Sequence, residues 1–271
     1  MSVTLKKPVI TWEKPPDDFI YDQPVDDTIH TPMAVALNEA LYMAGRLPKT
    51  ALAWTNVAVC ATIDGKLTQK APDWFYVRYA LPTEPPERER LSYTPYKEGK
   101  VPAIVMEFLS ETKGTEYSKD SEAPVGKWYY YEQVLQVPTY AIFEPNSGRL
   151  EVYELKSQKY RQRKPDANKR YWIAEVELFL GVRQGTRENR TGNWLRWWDE
   201  NGQILPWAAE ILEQQEQLLE QERARSQQKE QLLEQERSRS QQEREAKEAA
   251  LAELAFLKER LNSAGINPED I

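Results

Sequence analysis

The chain has 271 residues, of which 43 are acidic and 36 basic, with a single His and a single Cys. Cys60 alone excludes an intramolecular disulfide and a cysteine-rich metal cluster, and His30 alone excludes a two-histidine metal site. His30 lies in a stretch rich in Pro and Asp, which favours a surface or helix-entry histidine over a member of a Ser-His-Asp triad. Any catalysis by this chain must therefore use carboxylates and lysines.

The charge is spread unevenly along the chain. From Ala208 onward there are 15 acidic and 9 basic residues, whereas the residues before it carry 28 and 27. This nearly neutral body lacks the basic excess of a dedicated nucleic-acid binder, so any nucleic-acid contact must use a local patch. The sequence has no run of 18 apolar residues and no signal-peptide pattern, which predicts a soluble, cytoplasmic protein without a membrane segment.

The N-terminal part predicts an irregular arm over residues 1–30, followed by a folded domain over residues 31–207. Pro and Asp dominate the arm, as in the run from Pro15 to Asp18. Thr31-Pro32 resembles an N-cap with proline at the first helical position, which predicts an amphipathic helix to about Ala44. The apolar residues expected on one face of this helix are Val35, Leu37, Leu41 and Tyr42.

The domain then alternates between strand and helix patterns. Runs of β-branched and aromatic residues predict strands over 54–63, 73–79 and 103–109, with a turn at Asp64-Gly65 between the first two. Residues 103–106 are apolar without a break, as in a central strand covered on both faces. A helix from Pro124 to about Val134 precedes further strands over 139–143, 150–155, 171–180 and 194–198. This order predicts an α/β fold with a mixed sheet.

Residues 208–264 are predicted to form one long helix, because the segment consists mainly of Ala, Glu, Gln, Arg and Leu. Residues 215–228 recur almost unchanged as 229–242, a period of two heptads. The leucines that share one register are Leu212, Leu219, Leu233, Leu254 and Leu261. Ser226, Ser240 and Lys247 interrupt it, so the helix is either a weak coiled coil or a solvated single helix with Glu-Arg pairs. Gly265 is predicted to end it, leaving a tail over 265–271.

Two carboxylates lie at predicted strand ends. Asp73 follows Pro72 at the start of the second strand, and Glu107 lies near the end of the third. On neighbouring strands they would converge on one hard cation, because Mg²⁺ prefers oxygen ligands. A nearby lysine could orient or deprotonate a water molecule and neutralise a phosphate. From these residues alone, two exposed strand-end acids remain the alternative.

Several motifs in a fixed order carry a family resemblance. They are Pro72-Asp73, the run from Val101 to Ser110, a lysine-bearing helix leading into Val137-Pro138-Thr139-Tyr140, the run from Asn193 to Gly202, and Ile266-Asn267-Pro268-Glu269. Together they resemble the Uma-two-type family of restriction endonucleases, within the PD-(D/E)XK nuclease superfamily, over roughly residues 20–271. The resemblance implies a restriction-endonuclease-like mixed central sheet flanked by helices, followed by the long C-terminal helix.

The resemblance also implies the reaction and its principal residues. Asp73 and Glu107 match the acidic residues that bind Mg²⁺ or Mn²⁺, and the implied reaction is hydrolysis of phosphodiester bonds in DNA. Leu109 stands where a Glu-X-Lys order would place the lysine, so the catalytic lysine is expected to be Lys127 in the following helix. Glu39 matches an additional acidic residue found in parts of the superfamily and is the third candidate metal ligand.

Accessory positions are matched less closely. Many family members carry an acidic residue shortly before the helix lysine, a place that Glu122 or Asp120 could fill. Ser110 is expected to be a cap or a hydrogen-bonding group near the site rather than a nucleophile. The aromatic run over 126–131 predicts either a surface that stacks single-stranded bases or a core face of a helix.

Two functions are compatible with this sequence. The first is a metal-dependent DNA endonuclease. The second is a catalytically weak or inactive nuclease-like domain that acts as an interaction module through its helical tail, which the missing Glu-X-Lys order and the acidic tail favour. A homodimer is expected, because two active sites are needed to cut both strands. Its contacts are expected to include residues 250–261, where apolar residues follow coiled-coil spacing.

Overall fold

The computed structural model describes residues 9–14, 29–85, 89–110, 115–122 and 124–263. The chain divides into two compact units, Met1–Ala208 and Ala209–Ile271. Most of the predicted N-terminal arm, including Pro15 to Asp18, lies outside the described residues, as do Gly265 and the predicted tail over 265–271.

The strands and helices follow one another in an α/β order. They are β1 (Ile10–Thr11), α1 (His30–Met43), β2 (Leu52–Trp54), β3 (Ala58–Ile63), β4 (Lys66–Lys70), β5 (Trp74–Val77), β6 (Ser92–Tyr93), β7 (Ile104–Phe108), α2 (Lys127–Tyr129) with a π-helical continuation (Tyr130–Leu135), β8 (Thr139–Glu144), β9 (Arg149–Lys156), β10 (Lys159–Gln162), β11 (Tyr171–Ile173), β12 (Leu178–Arg187), β13 (Arg190–Trp198) and α3 (Ala208–Ser263).

A six-stranded mixed sheet lies at the centre of the first unit, in the order β10-β9-β8-β7-β5-β2. Strands β7 and β8 are parallel, and the other neighbours are antiparallel. All five residues of β7 are buried, as the unbroken apolar run predicts for a central strand. The predicted mixed α/β fold is therefore confirmed.

Two smaller sheets complete the first unit. Strands β1, β3 and β4 form an antiparallel sheet to which β6 adds in parallel with β3. Strands β11, β12 and β13 form an antiparallel meander. Buried side chains of α1 and the meander pack with one face of the central sheet. Those of the α2 region and β3 pack with the other.

Several predicted strands have different bounds in the structure. The predicted strand over 54–63 is two strands, because Asn56 has a φ of 51° and turns the chain between them. Asp64-Gly65 is a turn, but it connects β3 to β4 and not to the strand after Asp73. Strand β4 was not predicted because its sequence, KLTQK, is almost entirely polar. The predicted strand over 171–180 also divides, into β11 and β12.

Helix α1 exists as predicted, but its cap and its buried face differ. The helix begins at His30 after Ile29, so Thr31 lies inside it and is not the N-cap. Leu37 and Leu41 are buried as expected. Val35 and Tyr42 are 43% and 72% exposed, because the helix turns a face of Met33, Ala36 and Ala40 toward the core instead.

The described residues of the second unit belong to one long helix. Helix α3 extends over 56 residues, from Ala208 to Ser263, as the composition predicts. Every residue from 212 to 260 is exposed, including the repeat leucines Leu219 and Leu233 at 52% and 48%. Across the residues that the structure describes, no helix is sufficiently long and apolar to cross a bilayer.

Candidate active site

The register of the central sheet brings the two predicted acidic residues together. Trp74 lies opposite Met106 in the antiparallel pair β5–β7, so the same register, extended by one residue, sets Asp73 opposite Glu107. Asp73 directly precedes β5, and its negative charge acts on Glu107, so the two carboxylates are neighbours. Asp73 is fixed here because its Oδ2 accepts a hydrogen bond from the Phe108 backbone N–H at 2.5 Å. Both carboxylates therefore lie at one end of β5 and β7.

The Glu107 carboxylate is fully buried and held by two side chains of the α2 region. Lys127 Nζ lies 2.8 Å from Oε2, and the Tyr131 hydroxyl donates to Oε1 at 2.6 Å. Lys127 and Tyr131 are four residues apart, so both project from one helix face toward Glu107. Burial raises the pKa of Glu107 to about 8, the positive charge of Lys127 opposes this rise, and the charge of Asp73 adds to it. A carboxyl group with this pKa retains affinity for a proton near neutral pH.

Lys127 lies between two carboxylates. Its Nζ contacts Glu107 and also Glu116 Oε1, which is 3.2 Å away. Burial by itself lowers the pKa of Lys127, but the nearby charges of Glu107, Asp73 and Glu116 outweigh it and raise the pKa above its usual value. The raised pKa favours the protonated form of Lys127, which donates to both carboxylates.

A glycine sets the close packing that places Lys127. A Cβ atom at Gly126 would collide with the backbone carbonyl of Ser118, so only glycine fits beside this loop. The Lys127 N–H donates to the Thr115 carbonyl at 3.2 Å, and the Tyr129 N–H donates to the Ser118 carbonyl at 3.3 Å. These bonds hold the loop over residues 115–118 against the start of α2, which brings Glu116 to the lysine.

The acidic partner that precedes Lys127 is Glu116, and neither predicted alternative fills that place. Glu122 is exposed, and the Asp120 carboxylate accepts a hydrogen bond from Ser118 Oγ at 2.7 Å. Glu116 lies eleven residues before Lys127, so only the folding of the intervening loop brings the two together. No local spacing in the sequence signals this contact.

His30 also reaches the acidic pair. It begins α1, as the helix-entry alternative predicts, but it is buried at 7% exposure and is not a surface residue. Its Nδ1 lies 3.4 Å from Asp73 Oδ1, and its ring packs edge-on against Phe108. Asp73 is thus contacted from one face of the sheet by α1, while Glu107 is contacted from the other face by α2.

Glu39 is paired with groups other than the two acidic residues of the site. Its Oε2 lies 2.6 Å from Arg187, and its Oε1 accepts a hydrogen bond from the backbone N–H of Ala208. His30 is the residue of α1 that contacts Asp73, and Glu39 lies nine residues farther along the helix, a rise of roughly 13 Å. The structure therefore does not bring Glu39 together with Asp73 and Glu107.

The remaining sequence predictions near the site have clear positions. Ser110 is exposed just beyond the end of β7. In the aromatic run over 126–131, Trp128, Tyr130 and Tyr131 are buried within the core. The core-face alternative therefore describes these residues, and they offer no stacking surface for bases.

The chain matches the Uma2 family, described as "Putative restriction endonuclease", over residues 17–185. It belongs to this family, and the membership supports a nuclease-like function. No protein of curated function matches the chain.

A solved structure also aligns with the chain. It is described as a putative nuclease belonging to DUF820 from Anabaena variabilis ATCC 29413, and it shares 15% identity with a TM-score of 0.37. The alignment covers 56% of this chain and 76% of that one. A likeness of this size carries no argument about function.

Proposed function

We propose that this chain is a metal-dependent endonuclease of the PD-(D/E)XK superfamily that hydrolyses phosphodiester bonds in DNA. The observation that carries the proposal is the meeting of Asp73, Glu107 and Lys127 at one end of β5 and β7. Two carboxylates and a lysine are the residue types that such hydrolysis needs, because a cation and a positive side chain offset the charge that develops on the phosphate.

The donor set fits a hard divalent cation. Mg²⁺ is usually held by one or two carboxylates together with water, and Asp73 and Glu107 supply two. Among the described parts of the chain, no group of three or more His, Cys, Asp or Glu side chains forms a ready-made metal cage. A bound cation would favour the ionised form of Glu107, which has about four acceptor sites, so the bonds that Glu107 receives leave capacity for the ion. Mg²⁺ or Mn²⁺ is the proposed cofactor.

Each protein group near the ion would have a defined task. Asp73 and Glu107 would hold the cation, which when bound polarises the phosphate and lowers the pKa of a bound water molecule. The Phe108 N–H and His30 fix the orientation of Asp73, and the Tyr131 hydroxyl fixes Glu107. Lys127 would supply a positive charge beside the phosphate, in keeping with its raised pKa.

Nicking of supercoiled plasmid tests this proposal directly. Purified protein should nick plasmid with Mg²⁺ or Mn²⁺ and stop when EDTA is added. Asp73→Asn keeps the size of the side chain but removes its charge. The nicking rate should fall by more than the about 10–100-fold that is typical when a residue that only supports a metal ligand is changed.

Glu154→Gln on β9 is the matched control, because it removes a carboxylate of the same sheet that pairs with Lys156 instead of the site. It should cut like the wild type. Equal cutting by wild type and Asp73→Asn, with both proteins shown to be folded by circular dichroism, would refute the assignment.

A second candidate function is an interaction module with weak or no catalysis. It is favoured by the pairing of both Glu107 oxygens and Lys127 within the protein. Titration calorimetry separates the two candidates. Millimolar or tighter binding of Mg²⁺ or Mn²⁺ that is lost in Asp73→Asn supports the nuclease, whereas weaker binding of both metals supports the interaction module.

We further propose that the chain forms a homodimer whose contacts include α3. The support is the exposure of Leu254 and Leu257 at 53% and 50%, at coiled-coil spacing. Two copies would also provide one active site for each DNA strand. The tail contact is expected to have modest affinity, because Ser226 and Ser240 interrupt the leucine register.

A further inference from the structure

Lys70 is a lysine beside the candidate site that has no assigned role. It is the last residue of β4, three residues before Asp73. Its strand is held against the α2 region, because the Tyr130 hydroxyl contacts the carbonyl oxygens of Thr68 at 3.1 Å and Val59 at 2.9 Å. Val59 is the residue paired with Lys70 in the β3–β4 register. Tyr130 is in turn the neighbour of Tyr131, which contacts Glu107.

Lys70 and Lys127 differ in how their charges are balanced. Lys127 has two carboxylate partners within 3.2 Å. The Lys70 side chain is partly buried and forms no hydrogen bond or ion pair with any residue in the described ranges. Burial lowers the pKa of Lys70, the positive charge of Lys127 lowers it further, and the charge of Glu107 opposes both. The charges of Lys127 and Glu107 both act on Lys70, so it lies near the site, although neither residue is hydrogen-bonded to it.

A partly buried lysine without an ion-pair partner in the described residues suits an anionic ligand. Partial burial of a charge is costly unless a partner offsets it, and the charges that act on Lys70 include that of another lysine. A phosphate of the substrate backbone would supply the missing negative charge. Lysine is a flexible point charge that binds phosphate readily without demanding a fixed geometry.

We propose that Lys70 is a substrate-binding residue whose ammonium group contacts a backbone phosphate of the nucleic acid, next to the phosphate at the acidic pair. The inference rests on the proposed nuclease function and extends it from the reacting group to the neighbouring backbone. Lys70 would thus help to position the strand, while Lys127 stays with Glu107 and Glu116.

The test measures binding of a short fluorescent DNA duplex by anisotropy over a series of salt concentrations, with EDTA present to prevent cleavage. Lys70→Ala should weaken binding about tenfold. It should also reduce the slope of log affinity against log salt by about 0.9, the value for one lost phosphate contact. Lys70→Arg keeps the positive charge and should retain most of the affinity and the full slope.

Lys66→Ala is the matched control, because Lys66 lies on the same strand four residues earlier and is exposed. It should leave affinity and slope unchanged. In plasmid nicking, Lys70→Ala should raise KM more than it lowers kcat, since the contact positions substrate.

The outcomes separate this inference from the function on which it rests. If wild type binds and cuts DNA but Lys70→Ala keeps the wild-type salt slope, the Lys70 contact is wrong and the nuclease assignment stands. A weaker affinity with an unchanged slope would also overturn it, because that result indicates a structural role. If wild type neither binds nor cuts DNA with Mg²⁺ or Mn²⁺, the proposed function fails and the inference fails with it.

Discussion

The two units of the chain are stabilised in different ways. In the first unit, buried side chains pack on both faces of the central sheet, and the largest of them, such as Trp74 and Trp194, are less than 2% exposed. In the second unit, every residue from 212 to 260 is exposed. The first unit therefore gains stability from apolar burial, whereas the described part of α3 depends on helical hydrogen bonds and pairs such as Arg239–Glu243.

This contrast has a functional consequence. A site that must hold two carboxylates at a fixed spacing needs a rigid support, and here Glu107 lies on the buried strand β7 while Asp73 directly precedes the buried strand β5. The α3 leucines between residues 212 and 260 are exposed, so their apolar area is available to a partner. The proposed chemistry and the proposed assembly thus belong to separate parts of the chain.

The largest expected difference between the units is in thiol reactivity. Cys60 is fully buried in β3, and burial raises its pKa to about 12 from 9.0. The raised pKa alone lowers the thiolate fraction at pH 8 by about a thousandfold. In a Ser240→Cys variant, the added thiol on α3 should therefore react with a thiol reagent at least that much faster than Cys60. Equal rates would mean that β3 opens readily.

The same shift predicts the response of the first unit to alkali. Between pH 9 and 12 the unfolded chain releases the Cys60 proton while the folded chain retains it. The contribution of this group to stability therefore falls as pH rises through that window. Urea unfolding at pH 8 and pH 10 checks the sign, and Cys60→Ala should weaken the dependence. A pH-independent difference between wild type and Cys60→Ala would contradict it.

Truncation of a side chain should lower the free energy of unfolding far more in the first unit than in the second. Phe143 is fully buried, so Phe143→Ala should destabilise the first unit by about 3–5 kcal/mol. Leu233→Ala on α3 should change the same transition by less than about 0.5 kcal/mol. Tryptophan fluorescence in urea measures this transition alone, because all nine Trp lie at or before Trp207. A large effect of Leu233→Ala would show that the two units unfold together.

Removal of α3 tests the proposed dimer. A chain that ends at Ala208 should be monomeric by light scattering, while its fluorescence-detected unfolding changes little. In the full chain, Leu254→Lys combined with Leu257→Lys should weaken the dimer, because both residues lie at coiled-coil core positions. Ala252→Lys, on the opposite face, is the control and should not. A truncated chain that remains dimeric would place the interface in the first unit.

The smallest expected effect concerns the hydroxyl that holds Glu107. Tyr131→Phe removes one hydrogen bond to a buried carboxylate and should destabilise the first unit by about 1–2 kcal/mol. Tyr42→Phe, at 72% exposure on α1, should change stability by less than about 0.5 kcal/mol. Equal values for the two variants would indicate that the Tyr131 hydroxyl does not stabilise Glu107.

The sequence alone predicted those helices and strands whose pattern lies within a single segment. The composition after Trp207 determined α3, because helix formation needs only bonds within the segment. The unbroken apolar run determined the central strand β7, because only a strand covered on both faces tolerates it. Strand β4 was not predictable from its own residues. It forms by pairing with β3, and its polar sequence does not indicate that partner.

The candidate site was determined only in part by sequence. The motifs single out Asp73, Glu107 and Lys127, but their contacts depend on strand register, and a shift of one residue would turn Glu107 to the other face of the sheet. The tertiary structure alone decided that Glu116 pairs with Lys127 and that Glu39 pairs with Arg187. These partners lie 11 and 148 residues apart, so loop closure and packing, which no local pattern encodes, set their distances.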